Sequence, residues 1–343
     1  MFVTYGKRKE TKMIFYNKSL DHKFIDYGIQ IPISKSRSEK CFDYLKEKFP
    51  EKMKETDCTG ITPLSKEDLL LAHNSDFVSS LFNNEVEKAL ISCFELRNKD
   101  GSWNRFDPDS ATKSLSLLKD EILLQGKASF LSMEESLKSK FAYFLGGGMH
   151  HAMSFGGRGF CLVNDIVIGI RKLQKLKKIK SAWVVDVDAH KGCGTAELTQ
   201  NDETIQTLSI HMGKGWPLDS EKFDQDNQMN PWFIESTIDC PIFEGEEDRY
   251  LQVLRDSLSQ LEKNFEKPDL VVVVNGSDPY ELDELPSASL LKLSLEQLLK
   301  RDTFTYHWFK EREIPQTYLM SGGYGKHSWE VYAQFLAYIL KQS

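Results

Sequence analysis

The sequence lacks several features that would place the protein in a specialised class. Its six cysteines form no CxxC pair, so the pattern predicts neither a cysteine zinc site nor a disulfide framework, and it favours reduced thiols in a cytoplasm. No uninterrupted apolar segment approaches bilayer length, and no signal peptide is readable in residues 1–12, which we expect to be flexible. The sequence has no internal repeat and no low-complexity segment. We therefore expect a soluble, cytoplasmic protein without a membrane span.

An excess of positive charge is also absent. The 44 lysines and arginines are outnumbered by 51 acidic residues, which gives a formal net charge of −7. This balance argues against direct nucleic-acid binding, but it is compatible with a cationic substrate such as a lysine tail or a polyamine. The length of 343 residues and the 40% hydrophobic content are those of an ordinary globular protein. We predict that residues 1–343 form a single domain, and the sequence indicates no oligomeric state.

Apolar strands alternate with helical segments along most of the chain. Strands are predicted at residues 13–16, 142–145, 181–188, 204–210, 270–274 and 317–320. Helices are predicted at residues 66–82, where Ser65 supplies an N-cap, and at 119–140, 165–175, 248–265 and 329–340. Continuous Val/Ile/Leu strands between helices predict an α/β fold with one open parallel sheet sandwiched by helices. The active site of such a sheet is expected at the carboxyl ends of its strands.

Two of these strands end in residues that can bind a metal. The strand at 181–188 runs into Asp186-Val187-Asp188-Ala189-His190, and Asp278 follows the strand at 270–274. Because side chains two apart on a strand share a face, Asp188 and His190 are expected to project in the same direction. Together with Asp278 they offer two oxygens and one nitrogen, a set that suits a catalytic zinc with an open position. The same ligands also suit iron or manganese.

Residues that can move protons or stabilise charge follow the neighbouring strands. His150 and His151 come after a triple glycine, Asp186 is placed to orient one of them, and Tyr324 follows Gly322-Gly323. The histidines suit general acid and base roles, and the tyrosine hydroxyl suits an oxyanion donor. Each residue alone has an ordinary structural interpretation, and His211 is expected to be structural. Their occurrence in this order predicts metal-assisted hydrolysis of an amide or ester.

The order of these motifs resembles the histone deacetylase superfamily, most closely its class IV branch. The resemblance rests on Gly146-Gly147-Gly148-Met149-His150-His151-Ala152, Gly159-Phe160-Cys161-x-x-Asn164-Asp165, Asp186-x-Asp188-x-His190-x-Gly192-x-Gly194-Thr195, Asn275-Gly276-Ser277-Asp278-(x)4-Asp283 and Ser321-Gly322-Gly323-Tyr324. It runs from about Ile14 to the end of the sequence and is specific after Ala142. The resemblance implies an arginase-like α/β fold with one catalytic zinc, or iron in its place.

The resemblance also implies a role for each matching residue. The metal ligands would be Asp188, His190 and Asp278, and the acid/base pair would be His150 and His151. Asp186 would support His150, and Tyr324 would polarise the substrate carbonyl. An acyl-lysine tunnel would be lined by Gly159, Phe160 and Trp216. A structural potassium ion would be bound by Asp186, Asp188, His190, Ser209 and Ile210.

Three departures from the family pattern bear on function. Lys191 stands where the family often has a second histidine, and Cys193 stands where an Asp or Asn usually orients the second active-site histidine. Extra residues follow Asp283, at the expected tunnel rim. The leading prediction is a zinc-dependent amidohydrolase that removes acyl groups from Nε-acyl-lysine, with an acetylpolyamine or another small amide as the alternative substrate. A dinuclear ureohydrolase would need a carboxylate where Gly192 stands, and a non-catalytic acyl-lysine binding protein would be expected to have lost a ligand or the tyrosine.

Overall fold

A single seven-stranded parallel sheet forms the centre of the protein. The computed structural model describes residues 13–21, 23–32 and 36–342, so the predicted flexibility of residues 1–12 concerns residues outside the described ranges. The strands are β1 (Met13–Phe15), β2 (Phe141–Phe144), β3 (Ala182–Asp186), β4 (Ile205–Met212), β5 (Ile238–Ile242), β6 (Leu270–Val274) and β7 (Gln316–Leu319). Their spatial order is β1-β2-β7-β6-β3-β4-β5, and every neighbouring pair is parallel. The predicted α/β class is confirmed.

Helices cover both faces of this sheet. They are α1 (Arg37–Lys48), α2 (Lys66–Leu69), α3 (Ser75–Ser80), α4 (Val86–Cys93), α5 (Leu118–Ser139), α6 (Asp165–Lys175), α7 (Cys193–Thr199), α8 (Tyr250–Asn264), α9 (Leu295–Glu311) and α10 (Ser328–Lys341). Strand β6 shows why an all-apolar strand is needed here. Val271 and Val273 pack into the core shared with α8, α9 and α10, while Val272 and Val274 pack into the core shared with α5 and α6. Both faces of the strand are therefore buried.

Strand β5 is absent from the sequence prediction. It pairs only with β4 and lies at one edge of the sheet. Its sequence, Ile-Asp-Cys-Pro-Ile, contains Pro241, which lacks an N–H for the ladder and weakens the strand signal. An edge position tolerates a proline because one side of the strand has no partner strand.

The prediction of one helix over residues 66–82 is wrong. The Ser65–Asp68 capping box forms as expected, but α2 ends at Leu69 and a second helix, α3, begins after Asn74. The Asn74 side chain accepts a hydrogen bond from the backbone N–H of Phe77 at 2.9 Å, so it acts as a new N-cap. His73 lies in the turn between the helices, buried, with both ring nitrogens hydrogen-bonded to the backbone of Met153 and Asn164. An internal cap therefore overrides the helical spacing.

The strand order determines where chemistry can occur. The carboxyl ends of β2, β7, β6 and β3 are adjacent, so the segments that follow these four strands meet at one edge of the sheet. His150 and His151 follow β2, and Tyr324 follows β7. Asp278 follows β6, and Asp188 and His190 follow β3. Among the residues that the structure describes, no helix is long and apolar enough to cross a membrane.

Candidate active site

Three predicted metal ligands converge beyond the ends of β3 and β6. Asp188, His190 and Asp278 are all buried, and one potential ligand atom from each lies within 4.8 Å of the others. The Nδ1 of His190 is 2.9 Å from Asp278 Oδ2 and 3.3 Å from Asp188 Oδ1. Two buried carboxylates facing one imidazole nitrogen fit a divalent cation, because the cation would neutralise charge that is costly to bury.

The backbone holds both carboxylates in place. The amide of Ala189 donates to Asp278 Oδ1 at 2.8 Å, and the amide of Gly322 donates to Asp188 Oδ2 at 2.9 Å. Burial favours the neutral form of both carboxyl groups. For Asp188, the neighbouring histidines outweigh burial and lower the pKa. For Asp278, burial and the charge of Asp188 together raise the pKa. Burial likewise opposes the imidazolium of His190, but the two carboxylates raise its pKa to about 10. The site therefore favours a positive charge at its centre.

His150 has a carboxylate partner. Its Nδ1 lies 2.6 Å from Asp186 Oδ2, and both side chains are buried. Burial lowers the pKa of His150, but Asp186 and then Asp188 outweigh that effect and raise the pKa to about 9. The predicted pairing of these two residues is therefore present, and the imidazolium form of His150 prevails at neutral pH.

His151 has a different partner from its neighbour. Its Nδ1 faces the Sγ of Cys193 at 3.4 Å, and its ring lies 3.8 Å from the ring of His150, centroid to centroid. Burial raises the pKa of the Cys193 thiol to about 12, so the thiol is neutral. Burial, followed by the charges of His150 and His190, holds the pKa of His151 well below its usual value. The two adjacent histidines therefore differ in protonation at neutral pH.

The loop after β7 positions Tyr324 over the cluster. Asp283 Oδ2 accepts the Tyr324 backbone N–H at 2.7 Å, and the Arg37 guanidinium donates to the carbonyls of Ser321 and Gly323. Burial, together with Asp278 and Asp188, raises the pKa of the Tyr324 phenol well above its ordinary value. The phenol therefore keeps its proton and is available as a hydrogen-bond donor.

A channel with aromatic walls leads to this cluster. Gly159, Phe160, Trp216 and Tyr324 line a cavity of about 200 Å³ together with His151 and His190. The Trp216 ring packs edge-on against His151 at 4.6 Å. Gly159 has a φ of +54°, and a Cβ there would lie 2.2 Å from the Trp216 ring, so only glycine leaves room for this contact. The predicted tunnel residues are thus brought together.

A larger cavity also borders the cluster. It measures about 590 Å³ and extends from Asp188 and Tyr324 past the triple glycine to Arg37 and Met320. Gly148, at a φ of +82°, lets the chain turn close against Ser321, since a Cβ would approach the Ser321 side chain to 2.9 Å. The turn is fixed by Asp165, whose carboxylate accepts the amides of Gly148 and Met149.

Two further residues support the cluster and were not predicted from the sequence. Arg301, fully buried on α9, donates from one Nη1 to the carbonyls of Val187 and Gly276, both at 2.9 Å. It thereby joins the two turns that carry Asp188 and Asp278. The signal was present, because Leu298, Arg301 and Thr305 share the buried face of the helix. Ser287, in the segment of extra residues after Asp283, lies 3.3 Å from the Nε2 of His190.

The residues predicted for potassium lie beside the same cluster. Asp186 pairs in register with Ser209 on β4, and Ile210 is the next residue of that strand. The potassium site itself stays a prediction. His211 lies within β4 rather than after it, and its Nε2 is 3.1 Å from Asp239 Oδ2, in keeping with a structural role. Lys191 is buried and ion-paired with the same Asp239.

Comparisons with known proteins identify the family. A histone deacetylase domain model matches residues 31–341. The chain is 30% identical over 200 residues to an uncharacterized protein of Picosynechococcus sp., covering 58% of this chain and 61% of that protein. It is 26% identical over 279 residues to histone deacetylase 2 of Arabidopsis thaliana, covering 81% of this chain and 66% of that protein. It is 24% identical over 275 residues to the acetoin utilization protein AcuC of Bacillus subtilis, covering 79% of this chain and 67% of that protein.

The alignments with the first two of these relatives span less than two thirds of each relative's length. Placement in the class IV branch stays a prediction. The domain match, however, extends over nearly the whole described chain, from the segment before α1 to the last residue of α10. It includes every residue of the cluster described above. The chain therefore belongs to the histone deacetylase family.

Proposed function

We propose that the protein is a zinc-dependent amidohydrolase that removes acyl groups from Nε-acyl-lysine. The observation that carries this proposal is the meeting of the three candidate ligands, the histidine pair and Tyr324 at the inner end of one channel with aromatic walls. Asp188, His190 and Asp278 would hold the cation, which would supply Lewis acidity for the substrate carbonyl and for an attacking water. Iron is the alternative metal.

The protein's own side chains account for the proton movements. His151 is neutral, so it accepts the proton of the attacking water, and its Nε2 is the available nitrogen because Nδ1 faces Cys193. His150 stays an imidazolium on Asp186 and stabilises the negative charge that develops on the carbonyl oxygen. His151 then returns the proton to the leaving amine.

Tyr324 and the channel residues complete the proposed mechanism. The Tyr324 hydroxyl remains protonated and donates a hydrogen bond to the carbonyl oxygen as that oxygen gains charge. Phe160 and Trp216 enclose the methylene chain of the substrate and exclude water from it. A potassium ion beside Asp186 and Ser209 would be structural and would take no part in proton transfer.

A turnover screen tests this proposal. Metal-loaded protein is offered acetyl-lysine and long-chain acyl-lysine peptides and acetylspermidine, with metal content measured on the same sample and Tyr324→Phe as the low-activity control. Turnover of any acyl-lysine substrate supports the proposal. Turnover of acetylspermidine alone would establish the small-amide alternative instead. Tight binding of acyl-lysine with no hydrolysis by metal-replete protein would make the chain a binding protein.

A further inference from the structure

An ion pair stands at the outer end of the channel. Glu95 and Arg105 line the mouth cavity together with Phe160, Trp216 and Tyr324. Arg105 Nη2 is 3.3 Å from Glu95 Oε2, and the two side chains are 32% and 41% exposed. One anion and one cation therefore face any molecule that enters the channel.

The backbone around this pair is built to keep both side chains at the mouth. Glu95 has a φ of +53° and Arg105 a φ of +50°, a region that costs energy for residues other than glycine. The loop between them is closed by Asn104, whose backbone N–H donates to the Leu96 carbonyl and whose side chain donates to the Glu95 carbonyl. Gln30 anchors the far end by donating to the Arg105 carbonyl at 2.8 Å. Strained backbone that is held on both sides often marks a functional position.

Arg105 has hydrogen-bonding capacity left over. Its guanidinium lies 5.3 Å from the centre of the Phe160 ring, and it reaches Glu95 through Nη2. Its Nε is shielded from solvent and has no hydrogen-bond partner among the described residues. An ion pair as exposed as this one is weakly held. A ligand that offers both charges can therefore replace the internal pairing at little cost.

The spacing of the channel suits a lysine side chain. The Phe160 ring centre is 6.1 Å from the Tyr324 ring centre and 5.3 Å from the guanidinium carbon of Arg105. An extended lysine chain spans about 6 Å from its α-carbon to its ε-nitrogen, given bonds of about 1.5 Å. With the acyl group at Tyr324 and the methylenes along Phe160, the α-carbon reaches the mouth beside Glu95 and Arg105.

We propose that the channel selects Nε-acyl-lysine as a free amino acid, with the α-ammonium bound by Glu95 and the α-carboxylate bound by Arg105. This substrate class rests on the deacylase function proposed above and narrows it. A free amino acid carries the two charges that complement the mouth, so no charge is left unpaired. A lysine within a peptide offers neutral amides at both positions. A polyamine brings a further cation towards Arg105 and has no anion for it.

Four substrates and two variants test the assignment. The substrates are Nε-acetyl-lysine, its Nα-acetyl derivative with a free carboxylate, its carboxamide with a free ammonium, and the doubly capped compound. We expect kcat/KM for the free amino acid to exceed that for the doubly capped compound by about tenfold or more, mainly through KM. Arg105→Gln should lower kcat/KM for the substrates with a free carboxylate, relative to kcat/KM for those with a capped carboxylate, by about tenfold. Glu95→Gln should lower kcat/KM for the substrates with a free ammonium, relative to kcat/KM for those with a capped ammonium, by about tenfold.

Arg97→Gln is the matched control, because Arg97 lies in the same loop but packs over Trp103 and does not line the mouth. It should leave all four kcat/KM values unchanged. The proposal is overturned if kcat/KM for the doubly capped compound equals that for the free amino acid. It is also overturned if both mouth variants lower kcat/KM for all four substrates by the same factor. That result leaves deacylation itself intact. Failure of metal-loaded protein to hydrolyse these compounds, acyl-lysine peptides and acetylspermidine alike would overturn the deacylase function, and this assignment with it.

Discussion

His151 Nδ1 faces the Cys193 thiol at 3.4 Å, whereas its neighbour His150 faces a carboxylate at 2.6 Å. A carboxylate stabilises an adjacent imidazolium, and a neutral thiol is only a weak hydrogen-bond partner. We therefore expect Cys193→Asp to raise the pKa of His151 and to move the pH–rate limb on which His151 titrates towards higher pH. A shift of about one pH unit corresponds to about 1.4 kcal/mol. The measurement is a pH profile of kcat/KM.

Cys193→Ala is the control for that experiment. It removes the sulfur without adding charge, so its pH profile should stay close to that of the original protein when metal contents are matched. If the three profiles coincide and only thermal stability differs, Cys193 contributes packing alone.

The metal prediction concerns Asp188 and Asp278. We expect one divalent ion per chain in the purified protein and its loss in Asp188→Ala and in Asp278→Ala, since each variant removes one of three ligands. Elemental analysis measures this directly. His327→Ala should retain the ion, because His327 is a partly exposed residue paired with Glu330. Two ions per chain, or full occupancy in the aspartate variants, would contradict the single-site assignment.

Tyr324→Phe should fold and bind metal but lose about 10²–10³-fold in kcat, the usual effect of removing one oxyanion donor. The ring remains, so its contact with Phe160 is kept. Circular dichroism, metal analysis and steady-state kinetics on one sample separate these properties. Near-normal kcat in metal-replete Tyr324→Phe would assign Tyr324 a packing role only.

Arg301→Lys should weaken metal binding. A lysine keeps a positive charge beside Asp302, but its single ammonium group does not reproduce the planar guanidinium that bridges the Val187 and Gly276 carbonyls. We expect the metal dissociation constant to rise by about tenfold or more, as is typical of residues that orient ligands. Arg312→Lys, which alters a surface pair with Glu262, should leave it unchanged. Reduced thermal stability with unaltered metal affinity would limit Arg301 to packing.

His73 predicts a loss of stability in mild acid. Burial lowers its pKa to about 4, against an ordinary value of 6.5, and only its Met153 hydrogen bond opposes this. Below pH 6.5 the His73 imidazole takes up a proton in the unfolded chain but not in the folded protein. The folded protein therefore keeps its full stability above pH 6.5 and loses stability as the pH falls towards 4. The loss is about 3 kcal/mol. Denaturant unfolding at several pH values should show a smaller acid loss in His73→Gln, and equal losses would contradict the assignment.

The sheet and the cluster were predictable for the same reason. Strands such as β6 are apolar on both faces, and each chemically active residue follows such a strand, so one rule about parallel sheets located both. Arg301 and the Glu95–Arg105 pair were not predictable in this way. The first acts through backbone carbonyls that are 114 and 25 residues away in sequence. The second lies beside Phe160 only in the folded chain. Strand β5 was missed because its proline is acceptable only at a sheet edge, and edge position is a property of the whole fold.

The place of β7 in the sheet has a consequence for folding. Although β7 follows all the other strands in sequence, it lies between β2 and β6 and joins the β1-β2 pair to the β6-β3-β4-β5 group. Until residues 316–319 have been synthesised, these two groups have no strand to connect them. Such non-local pairing slows folding and leaves strand edges open to other chains. The histidine pair after β2 is therefore connected to the aspartates after β3 and β6 only through β7, the strand that Tyr324 follows.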